Sequence, residues 1–139
     1  MTRTALRVVA ALMIAVGGLL HYRLWHGVYR HAPIHEMFLL NVVVSAVVAV
    51  ALLVPRATRL SALGGFLLAI GSLAAFFLSR GPGLPTPHGK WKEMGLEPAG
   101  EKVFGVKVAL VVVVVEAIAV AVCAALLGLR SRRSAPARA

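Results

Sequence analysis

Apolar residues gather along the chain into four long runs, at about 4–25, 36–54, 60–79 and 103–129. A helix needs roughly 20 such residues to cross the hydrocarbon of a bilayer, and each run meets or nears that length. Two runs are rich in valine, "NVVVSAVVAVALLV" and "VALVVVVVEAIAVAV", a composition that favours strands in water. In lipid an open valine strand would leave its backbone polar groups unmatched, whereas a helix satisfies them internally. The pattern therefore predicts an all-α fold, an integral membrane antiparallel four-helix bundle over 1–129, because short links between consecutive helices make neighbours antiparallel.

The links are legible as well. Pro55 in "PRATR" stops the second helix, and a loop over 80–102, carrying four of the seven prolines, precedes the fourth. The tail 130–139 is basic and polar and is expected to be disordered. The first run could instead be a signal peptide, with Arg3 and Arg7 ahead of an apolar core. "HYRLW" follows that core where small residues would be needed for cleavage, so an uncleaved helix is the expectation.

Composition agrees with the pattern. The 139 residues are 60% hydrophobic and the mean hydropathy is +0.87, more apolar surface than a soluble domain of this size can bury. The net charge of +10 might suggest nucleic acid, but the basic residues sit at the ends of the runs, where they meet lipid headgroups. The expected partners are the lipid bilayer and other membrane subunits or a second copy, with no nucleic acid. Cys123 is the single cysteine, so an internal disulfide and a CxxC motif are both excluded.

Arginine and lysine placement sets the expected orientation. With both termini cytoplasmic, the inner side of a cell membrane holds eight basic residues and the outer side seven. The near tie is broken by Arg3 and Arg7 before the first helix and by Arg130, Arg132 and Arg133 after the fourth. In either orientation His21, His26, His31, His35 and His88 fall on one side of the membrane, together with Trp25 and Trp91.

Those histidines raise the question of a metal or haem. Imidazoles must converge on one point to hold an ion. His31 and His35 have helical spacing, but Pro33 lies between them and fits best as the first residue of the second helix. His21 and His26 are spaced for no common motif. The expectation is a belt of amphipathic rings at the membrane surface, with no metal or cofactor; haem or copper held by these five histidines is the competing reading.

Within the runs, Glu116 is the lone acid, thirteen residues from either end of 103–129 and hence near the midplane. A carboxyl at that depth should face the interior and take hydrogen-bond partners. Ser45 and Ser72 count to the same depth and Asn41 a little shallower, whereas no second titratable residue does. The third run carries small residues at Ser61, Gly65, Ala69, Ser72, Ala75 and Ser79, spaced to share one face where helix backbones approach closely. Phosphate loops, Ser-His-Asp sets and metalloprotease helix motifs are missing from the sequence.

With "GLLHYRLW", "VYRHAPIHEMFLLNVVVSAVVAVALLV" and "VALVVVVVEAIAVAV" in view, the chain resembles small four-helix membrane proteins common in actinobacteria. Tyr29, Pro33, Phe38, Leu39, Leu40 and Asn41 follow that group's entry to its second helix, and Glu116 matches a glutamate that recurs in its last. The resemblance implies the fold and carries no activity and no metal; His31, His35 and His88 depart from it. DoxX-type four-helix proteins, tied to redox partners, are a more distant likeness. The function expected is that of a non-enzymatic accessory or stabilising subunit of an envelope or respiratory-type complex. Redox handling of haem, copper or quinone by the outer histidines, and proton-coupled transport through Glu116, are the alternatives.

Overall fold

The computed structural model of the chain describes residues 2–27, 29–30, 32, 34–86, 89–91, 102–103 and 105–131. Four helices dominate it: α1 (Arg3–His26), α2 (His35–Leu53), α3 (Thr58–Arg80) and α4 (Val108–Ser131). The fold class is all-α, and each of the four is long and apolar enough to cross a membrane. Two small antiparallel hairpins lie between α3 and α4: β1 (Leu84–Thr86) with β2 (Gly89–Trp91), and β3 (Lys102–Val103) with β4 (Val106–Lys107).

Helix ends follow local chemistry. Thr2 caps α1, its hydroxyl accepting from the Ala5 amide at 3.2 Å. At the far end of α2, Pro55 has no N–H to offer and opens a single 3-10 turn. The carbonyls left over there are taken by a neighbour. Arg7 of α1 donates from Nε to the Leu52 carbonyl at 2.9 Å and from Nη2 to that of Leu53. Arg7, expected only as a charge that orients the chain, thus also closes α2 where unmatched carbonyls would cost most.

Two boundaries differ from the sequence reading. The second helix starts at His35, two residues beyond Pro33, with Ile34 buried ahead of it and the His35 ring donating back to the Ala32 carbonyl at 3.0 Å. The fourth starts at Val108 instead of 103, because Gly105 turns at φ +77° and folds 102–107 into the β3–β4 hairpin. That late start matters for Glu116. It becomes the ninth residue of α4, about 12 Å from the loop end at 1.5 Å per residue, against about 20 Å for a helix that began at 103.

Helix α1 packs against α2 and α4, and α3 packs against α4 and α2. One apolar cluster joins Ala10, Ile14, Leu52, Ala69, Ala119 and Cys123. A second, built from Leu20, Leu24, Tyr29, Ile34, Leu84, Val108 and Val112, brings together the end of α1, the start of α2 and the start of α4. The small stripe of α3 turns inward: Ser61, Gly65, Ala69 and Ser79 are buried. A Cβ added at Gly65 would sit 3.0 Å from the Cys123 sulfur, so the stripe serves close packing against α4. The opposite faces are apolar as well, with Leu40, Val47 and Val50 of α2 63–65% exposed. Water would not tolerate such a face over a whole helix, whereas lipid tails would.

Candidate functional site: a buried polar cluster beside a cavity

Five polar side chains from all four helices meet between the two apolar clusters. Counted at 1.5 Å per residue, they lie about 8–15 Å inside the ends of their helices. Asn41 of α2 is the hub. Its amide nitrogen donates to the Ser72 hydroxyl of α3 at 2.7 Å, and its amide oxygen accepts from Ser45, one turn on, at 3.1 Å. Ser72 has a single proton to give, for which the Leu68 carbonyl at 3.1 Å and the Glu116 carboxyl compete. Glu116, 4% exposed, then faces His21 of α1, whose Nδ1 is 3.8 Å from Oε1. The same Nδ1 donates to the Gly17 carbonyl at 2.8 Å.

Two glycines let the helices come this close. A Cβ at Gly17 would stand 3.2 Å from the Glu116 Oε1, and one at Gly18 would stand 2.7 Å from the Ser45 Cβ. Gly17 and His21 are four apart and so share a helix face. "GGLLH" therefore encodes both the close approach and the side chain that uses it.

Glu116 with Ser45, Ser72 and Asn41 was expected in one layer, and the structure brings all four together. Asn41 is central to it, although depth counting made it the weakest of the partners. The expectation that no titratable residue shares the depth of Glu116 is corrected: His21 does. Its place near the end of α1 points to the surface belt, and the start of α4 at Val108 sets Glu116 only about 12 Å from the loop end, within reach of it. The other described histidines, His26 and His35, do not join the cluster. His26 is exposed, its ring tilted against Tyr22 and edge-on to the half-buried Trp25, with centroids 6.0 and 6.3 Å away. His35 is tied to its own turn. His31, His88 and the Trp91 side chain lie outside the described residues. Among those residues no three His, Cys, Asp or Glu side chains gather as a metal site would require.

Against this cluster lies a cavity of about 350 Å³, at the lower end of the range typical of small-molecule sites. Its lining is mostly apolar, with His21, Asn41 and Ser72 among the polar members. Tyr29 and Phe38, stacked at 4.7 Å, form one wall, and Phe76, with the Arg80 guanidinium 4.2 Å over its ring, forms part of another. Leu40 and Leu67 line the cavity yet are 64% and 57% exposed, so it opens outward along the seam of α2 and α3. His21 connects the two features: it lines the cavity and touches Glu116, which does not. A hydrophobic chamber with a few convergent polar groups is the usual form of a binding site. No family model, no curated protein and no solved structure matches the chain.

Proposed function

We propose that the chain is an integral protein of the cell membrane, an antiparallel four-helix bundle with both termini cytoplasmic, that binds a lipophilic small molecule entering from the bilayer. The observation that carries this reading is the cavity between α2 and α3, whose mouth is rimmed by exposed apolar side chains and whose lining includes His21, Asn41 and Ser72. A ligand with an apolar tail would enter sideways, without crossing water. The role proposed is one of binding. A second reading, an accessory subunit of an envelope complex, is favoured by the cluster of Tyr22, Trp25 and His26 rings at the end of α1, an aromatic patch of the kind enriched at interfaces.

The test of the first reading is a cavity-filling substitution. Gly71 lines the chamber, and a Cβ there meets nothing within 4 Å, so Gly71→Phe should fold. Wild type extracted in mild detergent should carry a lipophile close to one per chain by mass spectrometry, and Gly71→Phe should lose most of it. Equal loading of the two proteins, or none in either, would refute the reading.

Orientation has its own check. In a Cys123→Ser background, Thr86→Cys should react with an impermeant maleimide in intact cells and Ser134→Cys should not. The converse labelling would place the histidine-bearing loops inside.

A further inference from the structure

We propose that the cavity holds the ring of a phenolic or hydroquinone lipid, its hydroxyl donating to Nε2 of His21 and its apolar tail leaving between α2 and α3. This rests on the lipophile reading above and names the class of ligand.

The hydrogen bonds of the cluster fix what the cavity offers. A carbonyl oxygen can only accept, so the 2.8 Å contact to Gly17 assigns the proton of the His21 ring to Nδ1. In the neutral ring the other nitrogen, Nε2, is then an acceptor. Asn41 contributes the opposite half. Its oxygen is used by Ser45 and one amide hydrogen by Ser72, which leaves the second amide hydrogen to donate. One acceptor and one donor on the same lining suit a hydroxyl group, which both gives and takes a hydrogen bond. A carboxylate would meet the Nε2 acceptor unfavourably, and the cation on this lining, Arg80, is already engaged over the Phe76 ring; a bare alkyl chain would leave both polar groups unmatched, at a cost typical of buried polar groups.

The walls select a flat group. Phe38 is tilted at 5.5 Å from the His21 ring and stacked on Tyr29, and Phe76 faces the same chamber. Aromatic walls at these separations favour a ring inserted edge-on or offset. Beyond the polar groups the lining turns aliphatic at Leu40, Val44 and Leu67, the place for a tail that continues into lipid.

Three probes distinguish the classes: para-nonylphenol, nonylbenzene, which lacks the hydroxyl, and decanoate, each titrated calorimetrically into the full chain in lipid nanodiscs with empty discs subtracted. The phenol should bind about tenfold tighter than nonylbenzene, the equivalent of one buried hydrogen bond at 1.4 kcal/mol per decade, and tighter than decanoate. His21→Phe keeps a ring against Phe38 and should reduce the phenol to the level of nonylbenzene. Gly71→Phe should weaken both alike, and it leaves the polar cluster untouched if His21→Phe does not fold. Equal binding of phenol and nonylbenzene to wild type, or preference for decanoate, overturns the hydroxyl-ring class while the lipophile reading stands. If no probe binds, or Gly71→Phe alters none of them, both fall.

Discussion

Replacing Gly18 by alanine should destabilise the protein by about 2–4 kcal/mol, the largest loss expected from adding a single methyl group anywhere on the described helices. The new Cβ would stand 2.7 Å from the Ser45 Cβ, where carbon atoms normally rest about 3.5–4.0 Å apart. Both atoms are rooted in helix backbone, so no side-chain rotation relieves the contact. Helices α1 and α2 must part by roughly an ångström at the level of Ser45. Parting them strains the Ser45–Asn41–Ser72 chain and shifts two walls of the cavity. Gly71→Ala is the matched control, since its Cβ meets nothing within 4 Å. It should be neutral or stabilise by about 0.5–1 kcal/mol through reduced backbone entropy in a helix. Unfolding in graded denaturing detergent, read by circular dichroism, measures both. A Gly18→Ala protein as resistant as Gly71→Ala would show that α1 and α2 do not meet at this point.

The contrast between these two glycines also marks how far the sequence can be read. Length and hydropathy expose the four helices because the bilayer sets both, and the ends found at His26, Leu53 and Arg80 lie within a residue of those the pattern gives. Pro55 and the inward stripe on α3 were legible for the same reason: each is a local rule about backbone or side-chain size. The start of α4 was not. Its apolar run continues through Val103, Val106 and Val108, and only the left-handed turn at Gly105 converts the first five residues into a hairpin.

That single boundary hides one member of the site, His21. Counting from 103 sets Glu116 about 20 Å from the loop end, whereas His21 sits about 8 Å inside its own helix end. Periodicity alone cannot correct such an error, since any register leaves a valine-rich helix equally apolar all round. What remained in the sequence was "GGLLH", two adjacent glycines one turn before a histidine. Adjacent glycines weaken an isolated helix, so a pair kept inside a span points to a place where another backbone or a polar side chain comes close. Gly17 admits the Glu116 carboxyl and Gly18 admits Ser45. The cavity, in contrast, depends on how far α2 and α3 stand apart, and a one-dimensional pattern does not encode that distance.

Substitution at Glu116 should separate the size of the carboxyl from its proton chemistry and its charge. Glu116→Gln keeps the shape and can still meet Ser72 and the His21 ring, so its stability should match wild type to within about 0.5 kcal/mol, as intramembrane hydrogen bonds average about 0.6 kcal/mol. Glu116→Leu removes the polar atoms. It strands none of its neighbours, because His21 retains the Gly17 carbonyl while Ser72 retains Asn41 and the Leu68 carbonyl. Its cost should therefore be about 1 kcal/mol. Glu116→Lys is different in kind. It sets an ammonium at the ninth position of α4, in the packed contact with α1 and beside the His21 Nδ1, whose proton goes to the Gly17 carbonyl; the other described acid, Glu36, lies in the first turn of α2. An uncompensated buried charge costs about 3–5 kcal/mol, a large share of the 5–15 kcal/mol that typically holds a protein folded. The expected order in detergent unfolding is wild type and Gln together, then Leu, with Lys poorly assembled. The same proteins reconstituted into vesicles address the transport alternative. Proton-driven uptake present in wild type and absent in a well-folded Gln variant would make Glu116 a proton carrier, whereas binding of para-nonylphenol unchanged between the two would leave it as the residue that holds His21 in place. A Gln variant as damaged as Lys would contradict both the hydrogen-bond inventory and the order predicted from it.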